Sequence, residues 1–469
     1  MKFKKLYLII FLSITVIIFS CQKENFITDS GATLNFSNDS VQFDTIFSSI
    51  GSTTKYFTVI NNYKKSIKIS SIKLSKGLES NFRLNINGTP SSSVTDIEIP
   101  GKDSIFIFVE VTVDPDKDEM IETDMVEFET NGNKQDVDLV AYGQDIHLIT
   151  DSVLQTQTWT KDKPYLIYKS ALVDENQTLT VEAGTKIYFH RNSQFYVSGT
   201  LIVTGTTEEP VIFQGDRLEK EYFDRPGQWD GIWLTKLSTN NYINNAVIKN
   251  AITGIQVDSV SNENPMLSIH NSIIEHHSYS GILAQNSFIF GTNLQVTDCG
   301  YHLLLINIGG YYNFSNCTFG NYYWRSTSRQ TPSIYITNYY VHEGTSYVYD
   351  LEQAYFGNCI IWGDISSGNE ISLNPFSGSG KFQYLFENCL IKLKNGTNSE
   401  FFKNNIFNKE PNFKDYRKHD FQLDTLSSAK DIGNRDIINK FPNFLNFDLK
   451  NISRMSDSGP DIGAYERVE

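Results

Sequence analysis

In the C-terminal two-thirds of this 469-residue chain, six Asn residues that each stand three residues before a large apolar residue form a ladder. The pairs are Asn245–Ile248, Asn271–Ile274, Asn293–Val296, Asn316–Phe319, Asn358–Ile361 and Asn388–Ile391. The intervals from one Asn to the next are 26, 22, 23, 42 and 30 residues. A period in the low twenties, relaxed by insertions, is that of stacked coils, each too small to bury a core alone. The slot directly after the Asn holds Ala246, Ser272, Leu294, Cys317, Cys359 and Cys389. A position that accepts Ala, Ser, Leu and Cys reads as a buried packing column. Its thiols, with Cys299, are therefore expected to be inert rather than disulfide-bonded or zinc-bound. The Asn side chains are expected to satisfy corner backbone groups and the amide of the neighbouring coil.

Composition narrows the function classes. The 32 Phe and 25 Tyr suit β-structure. The formal charge is −14, about −17 once the segment with Lys2, Lys4 and Lys5 is removed. No basic run is present, which excludes nucleic acid as a partner, because phosphate binding needs clustered Lys and Arg.

Residues 1–20 read as a leader. Met1-Lys2-Phe3-Lys4-Lys5 is basic, and the apolar run from Leu6 to Phe19 is too short to span a bilayer. It ends in Ile18-Phe19-Ser20-Cys21, which resembles the bacterial lipobox, with Phe19 where a small residue is usual. That resemblance implies cleavage before Cys21 and lipidation there. Gln22-Lys23-Glu24 is similar to the tags that send Bacteroidetes lipoproteins to the outer face of the outer membrane. Residues 21–31 would then be a lipidated tether, and the chain a cell-surface protein held by an outer-membrane lipid anchor.

Residues 32–145 alternate apolar and polar residues in short runs, such as Lys55 to Asn62 and Ser104 to Val113. About seven such runs make an immunoglobulin-like β-sandwich. The order of Val59-Ile60-Asn61-Asn62, Asn81-Phe82-Arg83-Leu84 and Ile99-Pro100-Gly101-Lys102-Asp103-Ser104-Ile105 resembles the ASPM, SPD-2 and Hydin sandwich family. In bacterial surface proteins that family serves mainly as a spacer.

Residues 146–469 carry the coils. Thr178 to Phe189, Phe195 to Thr206 and Trp229-Asp230-Gly231-Ile232-Trp233-Leu234 resemble the entry coils of right-handed parallel β-helices of the pectin-lyase-like superfamily. Pro411-Asn412-Phe413, Asp420 to Leu423, Ser427 to Gly433 and the octapeptide Gly459 to Glu466 are similar to the closing segment of Bacteroidetes surface β-helix proteins. The expected fold is all-β: a right-handed parallel β-helix after an immunoglobulin-like sandwich.

Two places break the period. The loop from Gln214 to Asp230 concentrates acids, bases and aromatics, and insertions on a rigid solenoid often carry its site. A polysaccharide lyase would use Arg217, Lys220 or Arg225 as base, with Asp216, Asp224 or Asp230 holding a cation. Calcium is expected only in that case; otherwise no cofactor or metal is expected. A hydrolase would need two carboxylates instead, and a plain salt-bridged surface loop needs neither. The other break, between Phe319 and Ile361, is aromatic. There and in the first loop Trp229, Trp324, Arg325, Tyr339, Tyr340 and His342 are candidates for stacking on and bonding to sugars. His276, His277 and His302 lack a partner pattern and are expected at the surface. Asp114 to Asp118 fails as a calcium loop and Gly378 to Lys381 as a phosphate loop.

No catalytic constellation is identifiable. The favoured reading is a non-catalytic module that recognises a polysaccharide or surface protein, or serves as a rod. The alternative is a carbohydrate-active enzyme, a lyase or glycoside hydrolase, using the β-helix side face.

Overall fold

The computed structural model describes residues 26–48, 50–114, 120–258, 265–323 and 329–468. The leader, Cys21, Trp324 and Arg325 lie outside the described residues. No described helix is long and apolar enough to cross a membrane. Two compact units divide between Asp145 and Ile146.

The first unit is the expected sandwich. One sheet joins Lys55–Ile60, Ser104–Val111 and Phe82–Ile86, with the short edges Asn35–Phe36 and Thr89–Pro90. The other joins Ser40–Phe47, Asn133–Gln144, Ile121–Thr130, Ile67–Leu74 and Ser93–Ile99. Ser104–Val111 buries every second residue, the period-two signature of a strand with one face on the core. Phe57, Val59, Ile69, Ile107, Val126 and Leu139 fill that core.

The second unit is a right-handed parallel β-helix built as one 26-stranded sheet wound on itself. Each coil has three faces. Thr200–Thr204, Asn241–Asn244 and Leu267–His270 stack in parallel on the first. Val211–Gly215, Ala246–Lys249 and Ile273–Glu275 stack on the second. Gly231–Leu234, Thr253–Val257 and the start of Ser280–Thr292 stack on the third. The lumen is apolar, filled by residues such as Ile248, Ile274, Val296, Phe319 and Ile361.

The ladder Asn is the single residue that turns the first face into the second. Asn245, Asn271, Asn293, Asn316, Asn358 and Asn388 all have φ between 48° and 56°, the left-handed region that Asn tolerates better than other residues with a side chain. After that corner the strand alternates, so the next residue and the third both point inward. This explains the Asn-to-apolar spacing and the buried column at Ala246, Ser272, Leu294, Cys317, Cys359 and Cys389. Cys299, Cys317, Cys359 and Cys389 are buried free thiols.

The side-chain amides bond from coil to coil. Asn293 Nδ2 donates to Asn271 Oδ1 at 2.9 Å, Asn388 Nδ2 to Asn358 Oδ1 at 3.0 Å, and Asn358 Nδ2 to Asn316 Oδ1 at 3.4 Å. Between Asn293 and Asn316 the chain of amides is interrupted by Arg454, whose Nη2 donates to Asn293 Oδ1 at 2.8 Å. Arg454 belongs to the closing segment, which lies over the second face and fastens to the ladder. Asn293 Nδ2 donates to the carbonyls of Phe444 and Phe447, Asn358 Nδ2 to Asn434, and Asn388 Nδ2 to Ile432.

The octapeptide at the end has a physical reason at nearly every position. Asp461 accepts from the amides of Asp431 and Arg467, both at 2.7 Å. Gly463, at φ 103°, comes so close to Thr318 and Ile360 that a Cβ there would lie 2.8 Å from each. Ala464 donates its amide to Thr318 Oγ1, and Tyr465 Oη donates to Gln295 Oε1 at 2.6 Å. Glu466 pairs with buried Arg454 at 3.3 Å. Ile462, Ala464, Phe413, Phe421 and Leu449 cover the outward side chains Ile360 and Leu390 of the second face.

Replacing Asn358 with Leu imposes left-handed strain of about 1–2 kcal/mol and leaves buried partners unbonded at about 1–3 kcal/mol. Asn358→Leu should therefore lower the melting temperature by several degrees, and Asn358→Gly, which removes only the bonds, by less. An unchanged melt for the Leu variant would show that the ladder does not hold the coils.

His270 ends a first-face strand and stacks on Phe444 of the closing segment, with centroids 4.0 Å apart. Burial depresses its pKa from the usual 6.5 to about 3. The neutral form is the one the fold favours, so this contribution is complete above pH 6.5 and is lost as the pH falls toward 3. Thermal melts should show stability declining across that window, and His270→Phe should decline less steeply between pH 6.5 and 4.

Candidate functional site

The corner from the second face to the third is also built on left-handed residues. Asn250, His276 and Asp298 follow the second-face strands of three successive coils, with φ of 69°, 59° and 53°. The strand register pairs Lys249 with Glu275 and Glu275 with Thr297, so the three corner residues stand one above another. The loop after Gly215 is inserted at this same corner, before the third-face strand Gly231–Leu234.

Asn250 holds that loop in place. Its Nδ2 donates to the carbonyls of Phe223 at 3.1 Å and Arg225 at 3.0 Å. Asp224, between them, is thereby turned toward His276, with Oδ1 at 3.6 Å from Nε2. His419, from the closing segment and itself at φ 60°, arrives from the other side. Its Nε2 lies 3.7 Å from Asp224 Oδ2, and its Nδ1 donates to Asp298 Oδ2 at 2.7 Å. The rings of His276 and His419 meet edge to face, 4.4 Å apart. Glu275 Oε2 is 3.9 Å from His276 Nε2, and Lys249 sits over the Phe223 ring at 3.5 Å.

The electrostatics of this group follow from burial. Desolvation pushes the Glu275 carboxyl up to about 7, against the pull of Lys249. Burial lowers the Lys249 ammonium below its usual range and raises Asp298. The bond to Asp298 raises His419. A carboxyl pushed up by burial, beside a second carboxyl and two imidazoles, can hold or pass a proton, or hold a cation.

The same corner continues as a groove. Ser278, Gly300, Tyr301, Tyr323, Arg329 and Thr331 line about 340 Å³. Tyr279 and Tyr301 stand on successive coils with rings 5.3 Å apart, and are 37% and 51% exposed. The far wall is held by a buried ion pair, Arg329 Nη2 to Glu370 Oε1 at 2.6 Å, with Ser333 Oγ donating to Glu370 Oε2 at 2.6 Å.

Of the expected site residues that are described, only Asp224 enters the cluster. Arg217 is bidentate to Glu219 and stacked on Tyr222 at 3.8 Å, and Arg225 lies 5.0 Å from the same ring. That part of the loop is the salt-bridged surface turn. Asp216 bonds His190 at 2.6 Å, away from Asp224. Asp230 binds the Ser193 carbonyl through its amide, and burial raises its carboxyl. Trp229 is not a sugar platform: it is fully buried, stacked on Phe189 at 3.8 Å, with Nε1 donating to the Lys249 carbonyl. The aromatic interval proves to be two insertions on different corners. Tyr322 and Tyr323 belong to the cluster's corner, whereas Tyr339, Tyr340 and His342 form one arm of the hairpin Tyr339–His342 and Thr345–Val348 at the next corner. Tyr340 stacks on Tyr347 at 5.0 Å, and Tyr339 packs on Phe376.

The expectation for the histidines is corrected. His276 and His277 are buried at 3% and 0% exposure and His302 is half-buried: the left-handed corner turns His276 toward the closing segment, His277 bonds Ala251 and Ile248 of the preceding coil, and His302 bonds the Pro332 carbonyl. Lys249, Glu275, Asp298 and His419 escaped the sequence analysis, and His276 was weighed there only as a surface residue. The available signal was that His276 and Asp298 stand in register with Asn250.

The second unit thus belongs to the class of right-handed parallel β-helices with a polar site on one corner. No family model matches the chain, and no curated protein does. Among solved structures it is similar to a family 123 glycoside hydrolase from Clostridium perfringens, with 7% identity over 28% of this chain and 31% of that one, at a TM-score of 0.19. It is also similar to the catalytic domain of a GH87 α-1,3-glucanase, with 9% identity over 85% of this chain and 97% of that one, at a TM-score of 0.17. Scores this low assign no activity, and the chain spans about a third of the first of these proteins.

Truncating a buried Trp costs about 3–5 kcal/mol. Trp229→Ala should destabilise the β-helix by that amount in a denaturant melt, whereas Arg225→Ala should change stability by less than about 1 kcal/mol.

Proposed function

We propose that this chain is a lipid-anchored outer-membrane protein, facing the cell exterior, whose β-helix recognises polysaccharide in the groove beside the Asp224 cluster. The observation that carries this reading is the pair Tyr279 and Tyr301, exposed on successive coils two residues after His277 and Cys299. Exposed rings beside the hydroxyl groups of Ser278 and Thr331 offer the stacking and hydrogen bonding that a sugar requires. The acidic surface favours neutral or amino sugars over polyanions. The sandwich serves as a spacer between anchor and β-helix, in keeping with its family resemblance.

A second reading is supported by Glu275, whose carboxyl is pushed up to about 7 beside Asp224. In a carbohydrate-active enzyme Glu275 would be the proton donor and Asp224 the partner carboxylate.

A glycan array with the purified protein tests the first reading. Binding to a defined glycan class is expected, weakened about three- to tenfold by Tyr301→Ala, the loss of roughly one stacking contact. Absence of any bound glycan would overturn it. Release of reducing ends from the bound glycan, abolished by Glu275→Gln, would establish the enzyme instead.

A further inference from the structure

Three side chains remote in sequence bring one donor atom each to within 4.8 Å of one another: Asp224, His276 and His419. Asp224 presents a different carboxylate oxygen to each imidazole, at 3.6 Å and 3.7 Å from the two Nε2 atoms. Ligand atoms about 2.0–2.2 Å from a tetrahedral zinc ion lie roughly 3.3–3.6 Å from one another. The two Asp224–imidazole separations therefore come within a few tenths of an ångström of those around such an ion, and all three donor atoms lie within 4.8 Å of one another. The two imidazole rings stand perpendicular, at 88°, rather than stacked.

A second, independent observation lies behind His419. Asp298, 2% exposed, accepts the Nδ1 proton at 2.7 Å. That bond fixes the tautomer and turns Nε2, as an acceptor, toward Asp224, the outer carboxylate arrangement found behind metal-bound histidines.

We propose that Asp224, His276 and His419 bind one divalent transition-metal ion of the zinc type, with Asp298 as the positioning carboxylate of His419. Two imidazoles and one carboxylate suit zinc and its neighbours, whereas calcium takes about six to eight oxygens. Three protein ligands leave a coordination position open. Asp224, with its side chain 38% exposed, puts that position on the solvent side of the corner, where a water or a sugar hydroxyl would complete the shell. The ion would also join the inserted loop, the coil and the closing segment. The site stands on its own geometry and does not depend on glycan binding.

The test is to strip the purified protein with EDTA and titrate it separately with zinc chloride and cobalt chloride. Expected are one ion per chain by elemental analysis, visible ligand-field bands for cobalt, and a melting temperature raised by zinc. Asp298→Asn should weaken binding about 10- to 100-fold. His419→Ala should weaken it at least as much. Asp298→Asn, which keeps an acceptor toward His419, should melt close to the parent in EDTA, which separates a lost ligand from a lost fold. Less than stoichiometric metal in the parent, or parent-like affinity in both His419→Ala and Asp224→Asn, would overturn the proposal. Loss of metal in His419→Ala with retained glycan binding would leave the glycan reading standing and confirm the ion site as separate.

Discussion

A one-residue left-handed corner closed by an Asn amide is the constraint on which the β-helix rests. A corner of one residue lets the first and second faces of each coil meet without a loop, so successive coils keep register. Its cost is a backbone region that most side chains resist. Asn meets both demands at once, because it tolerates the conformation and its amide bonds the coil above or below. Asn358 shows the full use, linking Asn316, Asn388 and the backbone of Asn434. The ladder is thus also the dock for the closing segment, and Arg454 enters it where the amides of Asn293 and Asn316 part company.

That double role explains why so much of the fold was legible in the sequence. The Asn, the buried slot after it and the apolar residue two further on are all dictated by one corner geometry, repeated coil after coil. The octapeptide Gly459 to Glu466 was legible for a different reason. Each residue in it meets a separate requirement: close approach at Gly463, capping at Asp461, and buried polar contacts at Tyr465 and Glu466. What the sequence did not disclose was that these two features are one assembly, since their hydrogen bonds cross about 150 residues of chain, as from Asn293 to Phe444.

The site was less legible for the same reason. Asp224 was singled out because it lies in a dense insertion, but its partners come from corners and from the closing segment, and Asp298 and His419 are 121 residues apart. Trp229 and Arg217 looked equally suitable in a list of residue types. Trp229 turned inward because a third-face strand begins two residues later at Gly231, and the lumen needed a large ring against Phe189. Arg217 was taken by Glu219 two positions away. Residue type therefore located the region, while corner geometry decided which member of it faces the others.

The two corners also show how a solenoid can separate structure from chemistry. The left-handed conformation admits chiefly Gly, Asn, Asp and His among residues with polar or no side chains. At the ladder corner the choice is Asn in six coils from Asn245 to Asn388, and the result is an internal scaffold. At the next corner the same steric filter is met by Asn250, then His276, then Asp298. These residues occupy equivalent positions, yet one pins a loop, one faces a carboxylate and one orients an imidazole. The steric rule that builds the rod thus also selects the residue types able to bind cations and move protons. Closing the second face with a segment that carries His419, another left-handed residue, completes the group from outside the repeat. A β-helix of this construction can change its chemistry by exchanging Asn, Asp and His at one corner, because the ladder corner holds the coils in register regardless.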